Sequence, residues 1–350
     1  MNLIALLEKA TQSDASDVHI TVGIPPMARI SGSLVPLADF TVTPEISEAF
    51  AKEVMNDAQW DTFQKLGECD FSISLPGKYR FRVNTFRQRH SVAIALRLIK
   101  SSPPDISELG LPPIVTSLCG YTRGIILVTG PTGSGKSTTL ASMIDYINRT
   151  RSAHIITLED PIEYLHRHRK CIVNQREIGV DSQSYSAALR AALREDPDVI
   201  LIGEMRDLET IGIALTAAET GHLVLSTLHT TGAAKTIDRV IDVFPPFQQQ
   251  QIRMQLSMTL VAVISQQLLV STDNTSRVIA VETMIATSAI RNLIRENKIH
   301  QVASAMQAAG PTGMQLMDNA IADKFKNGSI SRETALSYAV DKEYLKKLLY

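Results

Sequence analysis

The residues with the clearest chemical pattern are GPTGSGKS, from Gly130 to Ser137, which match the spacing GxxxxGK[ST] of a phosphate-binding loop. They follow an apolar run and precede a helical stretch, which is the context that this motif requires. Glycines let the loop turn its backbone N–H groups toward phosphate oxygens in conformations that a β-carbon would block. The N-terminus of the following helix adds partial positive charge. The pattern therefore predicts a nucleotide-binding site.

The side chains at the end of this loop have distinct expected roles. Lys136 is predicted to reach the β- and γ-phosphates, and the Ser137 hydroxyl to be a ligand of Mg²⁺. The predicted nucleotide-binding set is Gly130, Pro131, Thr132, Gly133, Ser134, Gly135, Lys136, Ser137 and Thr138.

Hydrolysis also needs a group that orients or deprotonates water, and Glu204 is the best candidate in the sequence. It directly follows the apolar run Val199–Gly203, and ligands of an open parallel sheet bind beyond the carboxyl ends of the strands. Gly203 stands where an aspartate usually follows this strand. We therefore expect Glu204 to serve the water and, through water, the metal. The alternative is a solvated glutamate at a strand end.

Four apolar runs that could position these groups begin at Gly124, His154, Asp198 and His222 and alternate with helical patterns. Runs that are apolar on both faces indicate a parallel sheet buried between helices. The region from about 285 to 350 is predicted to be mostly helical, with cap-like helix starts at Ser288 and Ser331. The expected fold class is α/β, with C-terminal helices after the sheet.

The first 100 residues mix short helices with strands and are predicted to form a small α+β domain. The first residues have the pattern of a short amphipathic helix, Thr43–Pro44 has the pattern of a helix start, and Tyr79–His90 alternates as a half-buried strand does. Ser91–Leu98 could pair beside that strand. A Pro-rich linker is predicted at 101–113 and a second domain at 114–350.

Composition limits the classes of function. The chain has 35 Lys and Arg against 36 Asp and Glu, so it has no overall positive field that would attract nucleic acid or an anionic membrane. Cys69, Cys119 and Cys171 lack the spacing of a zinc site and are expected to be reduced thiols. No apolar run approaches the roughly 20 residues of a membrane span, so we expect any membrane association to depend on a partner.

Four stretches together resemble the signature boxes of the secretion ATPase superfamily. The stretches are 130–138, 156–163, 193–210 and 218–230. In that order, they resemble the Walker A, Asp, Walker B and His boxes of the superfamily. The stretch 193–210 also has the Gly-Glu pair that replaces the usual Walker B aspartate in that superfamily. A fifth, AIRNLIRE, resembles a motif of the PilT branch, the retraction ATPases of type IV pili, where it is associated with retraction rather than nucleotide binding. Its residues are Ala289, Ile290, Arg291, Asn292, Leu293, Ile294, Arg295 and Glu296.

The resemblance extends over nearly the whole chain and implies roles for further residues. It implies a RecA-like ATPase core that uses ATP and Mg²⁺, preceded by a domain that resembles a PAS fold. Glu163, with Glu159 and Asp160 beside it, would lie near the metal and the attacking water. His229 would sense the γ-phosphate, whereas for His222 a structural and a functional role remain equally open.

In the same family the N-terminal domain supplies arginines to the nucleotide phosphates. Arg82 and Arg97 are the candidates here, with Arg80 behind them; the alternative is that they are exposed strand arginines. Arg194, four residues after Arg190 on an expected helix face, could line a subunit seam, and Arg206 in the same box is a further candidate.

The resemblance also implies a mechanism and partners. Six copies would form a ring in the cytoplasm, at the inner face of the membrane, with ATP held between the two domains of each subunit. Hydrolysis would swing the N-terminal domain about the linker and drive a PilC-like platform protein that returns pilin to the bilayer.

Several rival functions remain. An accessory PilU-like retraction ATPase fits the same motifs, and it would work with a second retraction ATPase. Extension ATPases resemble the chain only over the core and have a longer N-terminal region and a tetracysteine zinc site. A DNA-translocating ring would need a basic, often aromatic-lined channel, whereas aromatic residues make up 5% of this chain. A regulator that binds nucleotide without hydrolysis would conflict with intact Glu204, Glu163 and His229.

Overall fold

The structure is a computed structural model that describes residues 2–75, 79–99, 102–309 and 312–349. Its contacts divide the chain into two compact units. The first is Met1–Ser102 with Glu163–Leu165, and the second is Pro103–Ile162 with His166–Tyr350. Lys100 and Ser101, where we predicted the first domain to end and the linker to begin, lie outside the described residues.

In its described residues, the first unit contains an antiparallel sheet of six strands and three helices. The strands are β1 (Asp17–Ile20), β2 (Met27–Ile30), β3 (Ser33–Pro36), β4 (Glu68–Leu75), β5 (Tyr79–Gln88) and β6 (Ser91–Ile99), in the spatial order β3-β2-β1-β6-β5-β4. The helices are α1 (Leu3–Gln12), α2 (Pro44–Val54) and α3 (Asp57–Leu66).

Local sequence explains these elements. The Thr43 hydroxyl accepts a hydrogen bond from the N–H of Ile46 at the start of α2, and Pro44 occupies the first turn, as predicted. The predicted strand at Tyr79–His90 ends at Gln88, because the next two residues turn with φ of 46° and 64°. Alternate residues of β5 are buried against the helices, so that its arginine at 82 faces outward.

The second unit is built on a sheet of seven strands. They are β7 (Gly124–Thr129), β8 (His154–Glu159), β9 (Ile172–Glu177), β10 (Val199–Ile202), β11 (Leu223–Leu228), β12 (Leu260–Val270) and β13 (Arg277–Ile285), in the order β13-β12-β7-β11-β10-β8-β9. All neighbouring pairs are parallel except β12 with β13. The four apolar runs identified in the sequence form β7, β8, β10 and β11, which confirms the predicted α/β core.

Helices cover both faces of this sheet. They are α4 (Pro113–Leu118), α5 (Lys136–Thr150), α6 (Tyr185–Ala192), α7 (Leu208–Glu219), α8 (Ala233–Asp242), α9 (Pro246–Thr259), α10 (Ser288–Arg295), α11 (Val302–Ala308), α12 (Met317–Lys326), α13 (Arg332–Tyr338) and α14 (Lys342–Leu348), with 3-10 helices at Ile106–Leu109 and Ile299–Gln301. Alternate residues of β7 pack into different cores: Ile126 lies with α5, and Ile125 with α7 and α8. None of the helices in the described ranges has the length and apolar character of a membrane span.

The described part of the predicted linker packs within the second unit. Ile106 is buried in the same core as α5, and Asp105 forms an ion pair with Arg149 of α5 at 2.7 Å. The Ser142 hydroxyl, also on α5, donates to the carbonyl of Pro104 at 2.8 Å.

Two predictions about local structure were wrong. Helix α6 ends at Ala192, so Arg194 lies in the following turn and shares no helix face with Arg190; it donates instead to the carbonyl of Arg190 at 3.0 Å. The N-cap of α10 is Thr287, whose hydroxyl accepts from the N–H of Ile290, and Ser288 is already helical.

Candidate nucleotide-binding and hydrolysis site

The phosphate loop connects the end of β7 to the start of α5, as the motif requires. A β-carbon on Gly130 would lie 2.3 Å from the carbonyl oxygen of Gln266 and 2.7 Å from Ser134 Oγ, and the φ of Gly130 is 138°. Gly133 and Gly135 also have positive φ, at 78° and 89°. The glycines are therefore needed for the backbone turn and, at Gly130, for close contact with β12.

Lys136 lies beneath this loop and is only 8% exposed. Its ammonium donates to the carbonyl oxygens of Gly130 at 2.9 Å and Pro131 at 3.0 Å. Burial lowers the pKa of Lys136, and the Glu204 carboxylate opposes that shift. The lysine is thus held at the position where the motif would direct it to a phosphate.

The first turn of α5 supplies the remaining groups of the loop. Ser137 is exposed and Thr138 half-buried, while Pro131, Thr132 and Gly133 are exposed at the loop's tip. No side chain caps the N-terminus of this 15-residue helix, so its first N–H groups are available to an anion. A loop with these donors, a lysine and an exposed hydroxyl fits a nucleotide triphosphate with Mg²⁺.

Glu204 lies just beyond the carboxyl end of β10 and contacts two basic side chains. Glu204 Oε2 is 2.8 Å from an Arg206 guanidinium nitrogen, and Oε1 is 3.2 Å from His229 Nε2. Burial raises the pKa of Glu204, but the hydrogen bond and charge of Arg206, together with His229, outweigh burial and lower it overall. The carboxylate is therefore ionised at neutral pH and can accept a proton.

His229 follows β11 and connects the lysine to the glutamate. Its Nδ1 is 3.5 Å from the Lys136 ammonium, and its Nε2 faces Glu204. A neutral imidazole protonated at Nε2 satisfies both contacts, because it accepts from the lysine and donates to the carboxylate. The structure thus brings together three predicted residues, Lys136, Glu204 and His229, with the predicted Arg206 at their side.

Tyr185, the first residue of α6, belongs to the same region and was missed in the sequence. Its hydroxyl oxygen lies 2.8 Å from the position that a β-carbon on Gly203 would take. Burial raises the pKa of Tyr185, and the charges of Asp160, Glu159 and Glu204 raise it further, so the hydroxyl keeps its proton. The only feature of the sequence that points to Tyr185 is indirect: Gly203, in place of the usual aspartate, leaves room for another side chain at the end of β10.

The Asp box is divided between the units. Glu159 ends β8, and its carboxylate accepts from the Thr157 hydroxyl at 2.6 Å and from the Gln175 amide at 3.1 Å. Asp160 is exposed. Glu163 is also exposed and belongs to the three residues that are grouped with the first unit. Its predicted role near the attacking water stays a prediction.

The two candidate arginines of the first unit are direct neighbours across β5 and β6. Arg82 pairs in register with Arg97, and both are exposed on the face of the sheet away from the helices. Arg97 Nε is 2.9 Å from an Asp17 carboxylate oxygen. Burial raises the pKa of Asp17, but the hydrogen bond from Arg97 contributes to a net lowering. Contact of either arginine with a nucleotide stays a prediction.

His222 precedes β11, at the opposite end of the strand from His229. Strands rise about 3.3 Å per residue, which separates the two histidines by roughly 20 Å along the strand. His222 Nδ1 lies 2.9 Å from the Ala217 carbonyl and 3.2 Å from the Thr220 hydroxyl. These contacts join it to the end of α7, away from the phosphate loop.

The AIRNLIRE-like residues form most of α10. Ile290 and Ile294 are buried in the core below it. Arg291 donates to the carbonyls of Ser257 at 2.6 Å and Met258 at 2.8 Å, at the end of α9. Ala289, Asn292, Arg295 and Glu296 are exposed, whereas Leu293 is half-buried. The helix thus combines an anchored inner face with a polar outer face.

Comparison with known proteins assigns the chain to a family. Residues 2–336 match the family described as Type II/IV secretion system protein. The type IV pilus retraction ATPase PilT of Pseudomonas aeruginosa is 50% identical over 96% of this chain and 97% of its own length. The type IV pilus ATPase PilU of the same organism is 40% identical over 97% of this chain and 89% of its own length.

A solved structure agrees with the sequence comparisons. The crystal structure of the pilus retraction motor PilT with bound ADP superposes with a TM-score of 0.93, at 50% identity and with 99% of each chain covered. The resemblance inferred from the boxes is therefore confirmed. The chain belongs to the Type II/IV secretion system protein family, among its PilT-type retraction ATPases.

Proposed function

We propose that the chain hydrolyses ATP in the presence of Mg²⁺ and uses the energy to retract type IV pili. The observation that carries the proposal is the connected set Lys136–His229–Glu204 beside a complete phosphate loop. A nucleotide-binding protein without hydrolytic activity would need no ionised carboxylate linked to the phosphate-loop lysine. That the energy is used for pilus retraction is inferred from the relatives that are named for that activity.

In the proposed reaction the loop N–H groups and Lys136 bind the phosphates. Lys136 would exchange its bonds to the loop carbonyls for phosphate oxygens, and Ser137 and Glu204 would hold the metal, the latter through water. Bound Mg²⁺ would supply neutralisation of the phosphate charge. Glu204 would then orient a water and accept its proton as the water attacks the terminal phosphorus.

His229 would respond to the loss of the γ-phosphate and pass this change on to the groups around it. Its ring contacts both Lys136 and Glu204, so departure of the γ-phosphate changes the groups on both sides of it at once. A difference in affinity between the ATP and product states is what can drive a rigid-body motion. In a six-membered ring, Arg82 and Arg97 would add contacts that exist only before hydrolysis.

The proposed cellular setting follows from the same family. The ring would work in the cytoplasm against an inner-membrane platform protein, and through it on pilin. Glu163 would complete the site from the Asp box.

The function is tested by complementation of a bacterium that lacks both of its retraction ATPases. We expect the wild-type chain to restore twitching motility and Lys136→Ala to restore none, with the exposed Lys326→Ala as a matched control that restores it fully. Absence of twitching with the wild type would contradict the proposal as stated. Restoration only when a PilT-type partner is also supplied would instead assign the accessory role, which the 40% identity to PilU makes the specific alternative.

A further inference from the structure

The space beside Gly203 is filled by a hydroxyl group. A β-carbon at this position would come within 2.8 Å of the Tyr185 hydroxyl oxygen, a distance at which one of the two must move. It would also lie 3.2 Å from the Leu158 carbonyl oxygen. An aspartate at 203 and a tyrosine hydroxyl in this place therefore exclude each other.

Tyr185 is held in this place by its ring. The ring is half-buried against the core that contains β8, β10 and α7, which fixes its direction. Within the described ranges, the Tyr185 hydroxyl has no hydrogen-bonding partner from the protein. Burial raises the pKa of Tyr185, and the nearby carboxylates of Asp160, Glu159 and Glu204 raise it further, so the hydroxyl keeps its proton. The hydroxyl is thus a fixed neutral donor in a region of negative charge.

We propose that the Tyr185 hydroxyl, which occupies the space beside Gly203, donates a hydrogen bond to the water that Glu204 orients. The inference deepens the proposed function and depends on it. The water oxygen forms a bond to the γ-phosphorus while the bond to the β–γ bridging oxygen breaks, and the water proton passes to Glu204. Tyr185 keeps its own proton throughout, so its contribution is to hold the water oxygen in line for attack.

The first test is Tyr185→Phe, which keeps the ring and removes only the hydroxyl. We expect kcat for ATP hydrolysis to fall about 10-fold, while affinity for a fluorescent ATP analogue and the melting temperature stay at wild-type values. Tyr146→Phe, which alters a half-buried tyrosine of α5 in the other core, is the matched control and should change none of these.

The outcomes separate the two proposals. A wild-type protein without ATPase activity would refute the proposed function itself. A wild type that hydrolyses ATP and a Tyr185→Phe variant with equal kcat would refute only the role of the hydroxyl. A variant that loses nucleotide affinity and thermal stability together with kcat would show that Tyr185 serves the structure alone.

A second test depends on packing and needs no catalysis. Gly203→Ala should lower the melting temperature of the wild type, because the added methyl meets the hydroxyl, and should lower that of Tyr185→Phe clearly less. The contact with the Leu158 carbonyl is common to both backgrounds and cancels. Equal destabilisation in both would place the hydroxyl elsewhere and overturn the inference.

Discussion

Gly130→Ala is predicted to damage the protein through its backbone as well as its ligand site. The native φ of 138° is strained for any residue with a β-carbon, which costs roughly 1–3 kcal/mol. The added carbon would also lie 2.3 Å from the carbonyl of Gln266, and overpacking against a fixed neighbour costs typically 1–3 kcal/mol. The sum is about 4 kcal/mol, a large part of the roughly 5–15 kcal/mol that stabilises a domain.

This loss should be visible in two measurements. At about 2–4 °C per kcal/mol for a domain of this size, the melting temperature should fall by about 10 °C, and binding of a fluorescent ATP analogue should be lost as the loop shifts. Gly179→Ala is the matched control: its φ is also positive, at 86°, but no atom lies within 4 Å of the new carbon. Equal melting temperatures for the two variants, with normal nucleotide binding by Gly130→Ala, would refute the packing argument.

Two further predictions concern buried polar groups of the second unit. Burial lowers the pKa of His166 from 6.5 to about 4, so the neutral ring contributes stability that is complete above pH 6.5 and is lost as the pH falls toward 4. At 1.36 kcal/mol per pH unit, this contribution is about 3 kcal/mol. His166→Gln should therefore flatten the fall in melting temperature over that pH range, whereas the exposed His300→Gln should leave the fall unchanged. The buried Glu282 carboxylate accepts from the first N–H of α8 at 2.6 Å and of α12 at 3.1 Å. Glu282→Gln should lower the free energy of unfolding by about 1–3 kcal/mol, since the new amide must turn its NH₂ toward one of these two donors. The exposed Glu343→Gln should lower it little. Equal losses in the two variants would count against the idea that Glu282 caps both helices.

The parts that could be predicted from sequence are those governed by neighbouring residues. The loop from Gly130 to Ser137 has a fixed spacing, and the strand that ends before Glu204 is apolar on both faces, so both follow from short segments. The helix start at Thr43 is similarly local. Such features depend on chain geometry within a few residues, which explains why the structure agrees with them.

Contacts between distant segments could not be predicted in the same way. Gly130 needs to be glycine partly because Gln266 of β12 passes behind it, and β12, β13 and β9 are not among the strands predicted from the sequence. Tyr185 belongs to no sequence motif, and only the folded structure places its hydroxyl beside Gly203. Arg194 was assigned to a helix face because nothing in its own segment shows that α6 ends at Ala192.

The central claim is that ATP bound at this loop is hydrolysed by water under the control of Glu204. The most direct test measures ATP binding and phosphate release by wild type, Lys136→Ala and Glu204→Ala together. We expect the wild type to turn over ATP, Lys136→Ala to bind none, and Glu204→Ala to bind ATP tightly while phosphate release falls at least about 100-fold. Phosphate release from Glu204→Ala at the wild-type rate would contradict the account.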